Sequence, residues 1–363
     1  MKRVLILFIY VLVCCQLIKA QQRVVDAEDS IPVSAASIFD ASGSVIGYTL
    51  ADGTFSDISN AEYPITLRSL GYEPLTIELA KDTVWKMKPS YIDMQELVVV
   101  PVERNVMKQT FYMRAYFSIS NATDTVTYFA ERMAYRFVPA TKGVKTGVSS
   151  QMHTTNSCGY SHYKNAETDS VALDNDSKFP LMLSVVDISS AEVSAPESFK
   201  TTSDSTLVFE EKGKSGSTMV AKQSGQIFTH TGDMLADTKD HTFSPWALKL
   251  LGMTMDINQL YSTNVYRVNN EGHYTNKDLL QSCLVMEADC RGKLIRKALD
   301  SDTPVLMRTM VEMYVVDREF FSMEEAIAES KKKTEKMKFV IPADAPPLNE
   351  ATLLLIERAK ASK

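Results

Sequence analysis

Between Val24 and Val100 the apolar residues fall into short runs that glycine, proline and aspartate interrupt at close intervals. The runs are Val33 to Phe39, Val45 to Leu50, Ile65 to Leu70, Leu75 to Leu79 and Leu97 to Val100. Ala41-Ser42-Gly43, Ala51-Asp52-Gly53, Gly71-Tyr72-Glu73-Pro74 and Lys88-Pro89 break the chain between them. Such runs are too short for helices, and their spacing is that of strands joined by tight turns. Asp52-Gly53 is a strong turn dipeptide, because glycine enters the left-handed region without a Cβ clash. Strands in this order predict a small β-sandwich over residues 21–100.

Three of these stretches, in sequence, resemble the carboxypeptidase regulatory-like domain family. They are Ile31-Pro32-Val33-Ser34-Ala35-Ala36-Ser37-Ile38, then Asp52-Gly53-Thr54-Phe55, then Leu67-Arg68-Ser69-Leu70-Gly71-Tyr72. Met94-Gln95-Glu96-Leu97-Val98-Val99-Val100 is similar to the strand that closes such domains, whereas the family's glycine-rich opening strand is replaced by Arg23-Val24-Val25-Asp26. The resemblance covers about a fifth of the chain. It implies a seven-stranded transthyretin-like sandwich without catalytic machinery, of a type common at the front of exported Bacteroidetes proteins. Phe111-Tyr112-Met113-Arg114-Ala115 and Phe129-Ala130-Glu131-Arg132-Met133-Ala134-Tyr135 are similar to uncharacterised regions that trail this domain, and imply no activity.

The first twenty residues read as an export signal. Lys2 and Arg3 precede an apolar run from Val4 to Leu17, and Ala20 offers a small residue before Gln21-Gln22. Positive, apolar and small segments in that order are what a signal peptidase reads, and the run is short for a membrane span. Val13 before Cys14, and Cys14 before Cys15, argue against lipidation. Cleavage takes away Lys2, Arg3 and Lys19 and moves the formal net charge from −6 to −9. No other stretch is long and apolar enough to span a bilayer as a helix. An acidic chain without basic clusters is a poor partner for nucleic acid. The sequence therefore predicts a periplasmic, outer-membrane-associated or secreted protein whose partner is an envelope protein, a glycan or a peptide.

Past Pro101, residues 101–363 predict a larger β-rich α+β domain ending in helices, so the whole chain reads as mainly β. Ser282 to Ala288, Lys293 to Ala298 and Val305 to Val316 read as strands, with Arg291-Gly292 and Asp300-Ser301-Asp302 as the turns between them. Asp187 to Asp240 is rich in serine, threonine and charge and reads as exposed strands and loops. Ser244-Pro245 opens a short helix to Leu251. Ser322-Met323-Glu324-Glu325 is a capping box, predicting a helix to about Met337 with Lys331-Lys332-Lys333 on its solvated face. A last amphipathic helix is expected over Glu350 to Lys360.

Of the five cysteines, Cys158, Cys283 and Cys290 survive cleavage. Cys283 and Cys290 are near enough in sequence to pair across a tight hairpin, which leaves Cys158 as a free thiol. Cys158 with His153 and His162 would be a hydrolase nucleophile only if the fold brought thiol and imidazole together. The five histidines are scattered without metal-ligand spacing, so no metal or cofactor is expected. Gly213-Lys214-Ser215 lacks the upstream glycine of a phosphate loop. Ser161-His162-Tyr163-Lys164 has no companion motif, and Asn121-Ala122-Thr123 is an isolated glycan sequon. Tyr112, Tyr116, Phe117, Tyr128, Phe129, Tyr135 and Phe137 suit core packing or a ligand-holding sheet face. The expected function is non-enzymatic binding or scaffolding. The alternatives are carriage of an apolar ligand beneath Val305 to Val316, and hydrolysis through Cys158.

Overall fold

The computed structural model describes residues 22–55, 58, 61–79, 83–90, 104–140, 145–175, 200–201, 206–209, 217–236, 238–245, 248–249, 252–268, 274, 276–293, 295 and 304–362. Residues 1–20, read as an export signal, Met94 to Val100, Gly213-Lys214-Ser215, Asp300-Ser301-Asp302 and parts of the Asp187–Asp240 and Ser244–Leu251 stretches lie outside them.

The protein is mainly β. At the front, β1 (Arg23–Asp26) pairs in parallel with β6 (Val84–Met87). A second sheet runs in the order β3 (Val45–Tyr48), β2 (Ser37–Phe39), β4 (Ile65–Arg68), β5 (Leu75–Ile77). Val24, Trp85 and Met87 from the first sheet share one core with Ile38, Ile65 and Leu67 from the second. Asp52-Gly53 turns as its sequence predicts: the Asp52 carboxylate accepts the Thr54 N–H at 3.0 Å, and Gly53 takes φ +78°. A Cβ at Gly53 would stand 2.3 Å from the Val24 carbonyl oxygen, so only glycine fits.

The remaining strands are β7 (Val106–Ser120), β8 (Thr125–Pro139), β9 (His153–Lys164), β10 (Asp169–Asp174), β11 (Lys200–Thr201), β12 (Thr206–Phe209), β13 (Ser217–Ser224), β14 (Ile227–Asp233), β15 (Met253–Arg267), β16 (Leu279–Gly292) and β17 (Val305–Phe321). They form one eleven-stranded antiparallel sheet in the order β10-β9-β8-β7-β17-β16-β15-β14-β13-β12-β11. Two meanders are thus joined at the centre by β7 and β17, which pair Tyr112 with Tyr314, Met113 with Met313 and Arg114 with Glu312.

Period-two alternation sends neighbouring residues of these long strands to opposite faces. Phe111, Met113, Ala115 and Phe117 of β7 join Met307, Val311 and Met313 of β17 in one apolar cluster. Tyr116 and Met310 belong to the other face, where they meet Phe39, Val45, Tyr48 and Leu70 of the front module. Most of the aromatic series is therefore core: Tyr112, Tyr116, Phe117, Phe129 and Phe137 are buried, with Tyr128 and Tyr135 half-buried. β7 is buried on both faces along almost its whole length.

Two helices follow the sheet. α1 (Met323–Ser330) starts in the predicted capping box, Ser322 Oγ accepting the Glu325 N–H while the Glu325 carboxylate accepts the Ser322 N–H. It stops well short of Met337. Lys331 is its C-cap, and Lys332 and Lys333 begin an extended strap rather than a helix face, since consecutive like charges gain nothing from helical stacking. α2 (Glu350–Ala361) is capped by Asn349 and buries Leu355 and Ala359 against the front module and the sheet.

One further expectation changes. Arg291-Gly292 is no hairpin turn but the end of β16, paired with Thr254 and Met253 of β15. Within the stretch read as strands and loops, Thr206 to Asp233 supplies strands β12 to β14 of the large sheet. The Ser244 hydroxyl donates to the Asp256 carboxylate, and Leu248 and Lys249 are helical within the stretch where a short helix is expected.

Candidate functional site

Cys283 and Cys290 do not pair. Both lie on the single strand β16, seven residues apart, so their side chains leave opposite faces about 23 Å from one another. Cys283 sits in the cluster beneath the front module and Cys290 in the cluster on the far face. All three described cysteines are free. Burial pushes the Cys283 thiol well above its usual range and raises Cys290 to about 12, so both stay protonated and inert. Brief alkylation of the protein lacking its first twenty residues is therefore expected to label Cys158 alone under native conditions, and all three thiols after denaturation, by intact mass. Native labelling of Cys283 would contradict this packing.

Cys158 does not meet His153 or His162. His162 and His153 lie four and five residues along the same extended strand, about 13 and 16 Å away. His162 Nε2 is instead 2.9 Å from Asp169, and His153 stacks on Tyr135. Beneath Val305 to Val316, the side chains of Val305, Met307, Val311, Met313 and Val315 are all buried in the far-face cluster. The hollows described below open on the other face.

That face carries the junction between the front module and the sheet, and its polar ties are buried. The Tyr48 hydroxyl stands 2.9 Å from the carbonyl oxygens of Met286 and Thr309 and accepts the Thr309 N–H at 2.8 Å. The Val45 N–H donates to Ser118 Oγ at 2.8 Å. Arg68 Nη2 lies 3.0 and 2.8 Å from the two carboxylate oxygens of Glu312, and Nη1 donates to the Tyr116 hydroxyl at 2.9 Å. Both charged side chains are only 2% exposed. Burial disfavours the guanidinium charge, but the Glu312 carboxylate outweighs it and keeps Arg68 protonated.

Beside this junction a cleft of about 290 Å³ opens between the front module and β13 to β15. Lys222 of β13 crosses its floor and places Nζ 2.7 Å from both Asp26 and Asp29. Asp26 also accepts the Glu28 N–H at 2.7 Å and the Tyr72 hydroxyl at 3.0 Å. Burial would raise the Asp26 carboxyl, but Lys222, the Glu28 N–H and Tyr72 together hold it below its ordinary value. Lys222 is pushed the other way: burial would lower it, and the two carboxylates raise it. Burial, then Asp26, drives the Tyr72 phenol well up. Each of the three is thus fixed in its charge state far from neutrality.

The cleft wall is rich in hydroxyls. Ser34, Ser69 and Ser90 come from the front module, and Ser224, Thr229, Thr231 and Thr263 from the sheet. Thr231 and Thr263 bond to each other at 3.0 Å. Pro32, Leu70, Pro89 and Ile227 supply apolar patches between them. Across the Ser69–Tyr72 turn lies a second hollow of about 190 Å³, lined by Glu312, Tyr314, Gln281 and the Ala343–Pro347 strap.

Neither Asp26 nor Lys222 stands out in the sequence, because their meeting spans the chain from its first strand to its thirteenth. Glu312 did carry a signal: a lone carboxylate inside the apolar run Val305 to Val316 demands a buried partner.

No protein-family model matches the chain, and no curated protein is similar to it. Among solved structures, a Nitrosomonas europaea protein provisionally assigned as an AttH is similar over 61% of this chain, at 8% identity and a TM-score of 0.13. The match covers 53% of that chain, so this chain spans about half its length, and so low a score carries no argument about fold or function.

Proposed function

We propose that this is a non-enzymatic, exported cell-envelope protein of the periplasm or outer membrane. Its role is binding or scaffolding, with a carboxypeptidase regulatory-like, transthyretin-like front module serving as half of a ligand cleft. The observation that carries this reading is the cleft itself. Its acid, base and phenol, Asp26, Lys222 and Tyr72, are bonded to one another and held away from neutral pKa values, whereas a general acid or base works best near the operating pH. A wall made by two modules and stiffened by a buried ion pair presents its groups without reorganisation, which favours recognition. The leader-like first twenty residues support export.

Fractionation of the source cells with N-terminal sequencing tests the reading. The protein is expected in the envelope or medium, starting at Gln21 or Gln22. A cytoplasmic protein retaining Met1 would overturn it.

A further inference from the structure

We infer that the cleft between the front module and β13 to β15 takes a neutral carbohydrate of one or two sugar units, an inference that rests on the binding reading above. Charge decides against the other small polar ligands. An incoming anion meets Asp26 and Glu28 at the wall, and the one cation among the described lining residues, Lys222, is already shared between Asp26 and Asp29. An incoming cation meets Lys222 itself, and the Asp26 carboxylate it would seek already accepts from that lysine, the Glu28 N–H and the Tyr72 hydroxyl, which leaves Glu28 as the open carboxylate among the described lining residues. A neutral ligand avoids both penalties.

The groups left open are hydroxyls. Ser34, Ser69, Ser90, Ser224 and Thr229 face the cleft with no side-chain hydrogen-bond partner among the described residues. A hydroxyl both donates and accepts, as does each hydroxyl of a sugar, so such a wall matches a polyol from any rotation. Leu70, Pro32, Pro89 and Ile227 lie between these positions and suit the C–H face of a pyranose ring. The volume of about 290 Å³ stands at the lower end of the ~300–1,000 Å³ range for small-molecule sites, which fits a short saccharide rather than a long chain.

Isothermal titration of the mature protein with glucose, galactose, mannose, N-acetylglucosamine, maltose, cellobiose and lactose tests this, with glucuronate and tetralysine as charged probes. At least one neutral saccharide is expected to bind with a Kd tighter than about 10 mM, and Thr229→Phe, which fills the cleft from a half-exposed position, to weaken it at least about tenfold. Ser224→Phe, at the exposed end of β13, gives the same readout should the first variant fail to fold. Absence of saccharide binding, or saccharide binding unchanged by both variants, would overturn the inference. Glucuronate or tetralysine binding that the variants block would overturn the ligand class while leaving the binding role standing. An envelope location found by fractionation stands or falls separately from either result.

Discussion

Arg68→Met is expected to destabilise the protein by up to about 3–5 kcal/mol, because it strands the Glu312 carboxylate in the junction without its hydrogen-bonded counter-charge, leaving it only the more distant field of Arg114 across the β7–β17 ladder. Glu312 is 2% exposed and takes both of its short contacts from Arg68 Nη2, so no water shell replaces what is lost. The Tyr116 hydroxyl loses its donor in the same step. Methionine fills much of the arginine stem's volume, so the loss reports charge rather than a cavity. Glu312→Leu leaves the guanidinium unpaired and is expected to cost a similar amount. The double variant removes both charges and is expected to recover most of the loss, since a buried ion pair replaced by apolar side chains is often near neutral. Urea denaturation followed by fluorescence measures all three, with Trp85 buried in the front module's core as a reporter. A single-variant loss below about 1 kcal/mol, the ceiling for exposed pairs, would show that the junction is solvated and the module loosely seated.

That pair also shows how far the sequence could be read. The local signals worked where local chemistry decides: Asp52-Gly53, the Ser322 capping box and the start of α2 at Glu350 all lie where turn and cap residues place them. Mainly β character was legible from the short apolar runs. Strand length was not. Arg291-Gly292 carries a turn signal, yet β16 runs to its end because β15 offers partners as far as Gly292, and ladder pairing outweighs one permissive glycine. The Cys283–Cys290 pairing failed for the same reason, since one continuous strand keeps the two apart. The cleft was illegible because no local pattern encodes its construction. Asp26 and Lys222 meet only after the two meanders join through β7 and β17 and the front module docks on the resulting face. Glu312 could have been singled out as a charge needing a partner, but Arg68 alternates with Leu67 on β4 and reads as solvent-facing until the large sheet covers that side.

Acidification from pH 7 to pH 4 is expected to remove about 3 kcal/mol of stability through a single residue, His230. It lies on β14 between Ala221 and Asn264 in the sheet and is 6% exposed. Burial lowers its pKa from 6.5 to about 4, so the folded protein holds the imidazole neutral where the unfolded chain would take a proton. At pH 7 neither state is protonated and the residue contributes nothing to the pH dependence. As pH falls below 6.5 the unfolded state gains a proton that the folded state refuses, and stability drops by about 1.36 kcal/mol per pH unit. The slope ends near pH 4, where the folded form also protonates. Asp26 acts in the same direction but at lower pH, because its folded pKa is held below 3.8 and its stabilisation is lost only as pH falls further. The two contributions therefore separate along the pH axis. Denaturant unfolding at half-unit intervals is expected to show the wild type losing stability between pH 6.5 and about 4, and His230→Gln losing much less over that window. Equal slopes for the two proteins would mean that His230 is solvated in the folded state and that β14 is less deeply covered than its neighbours require.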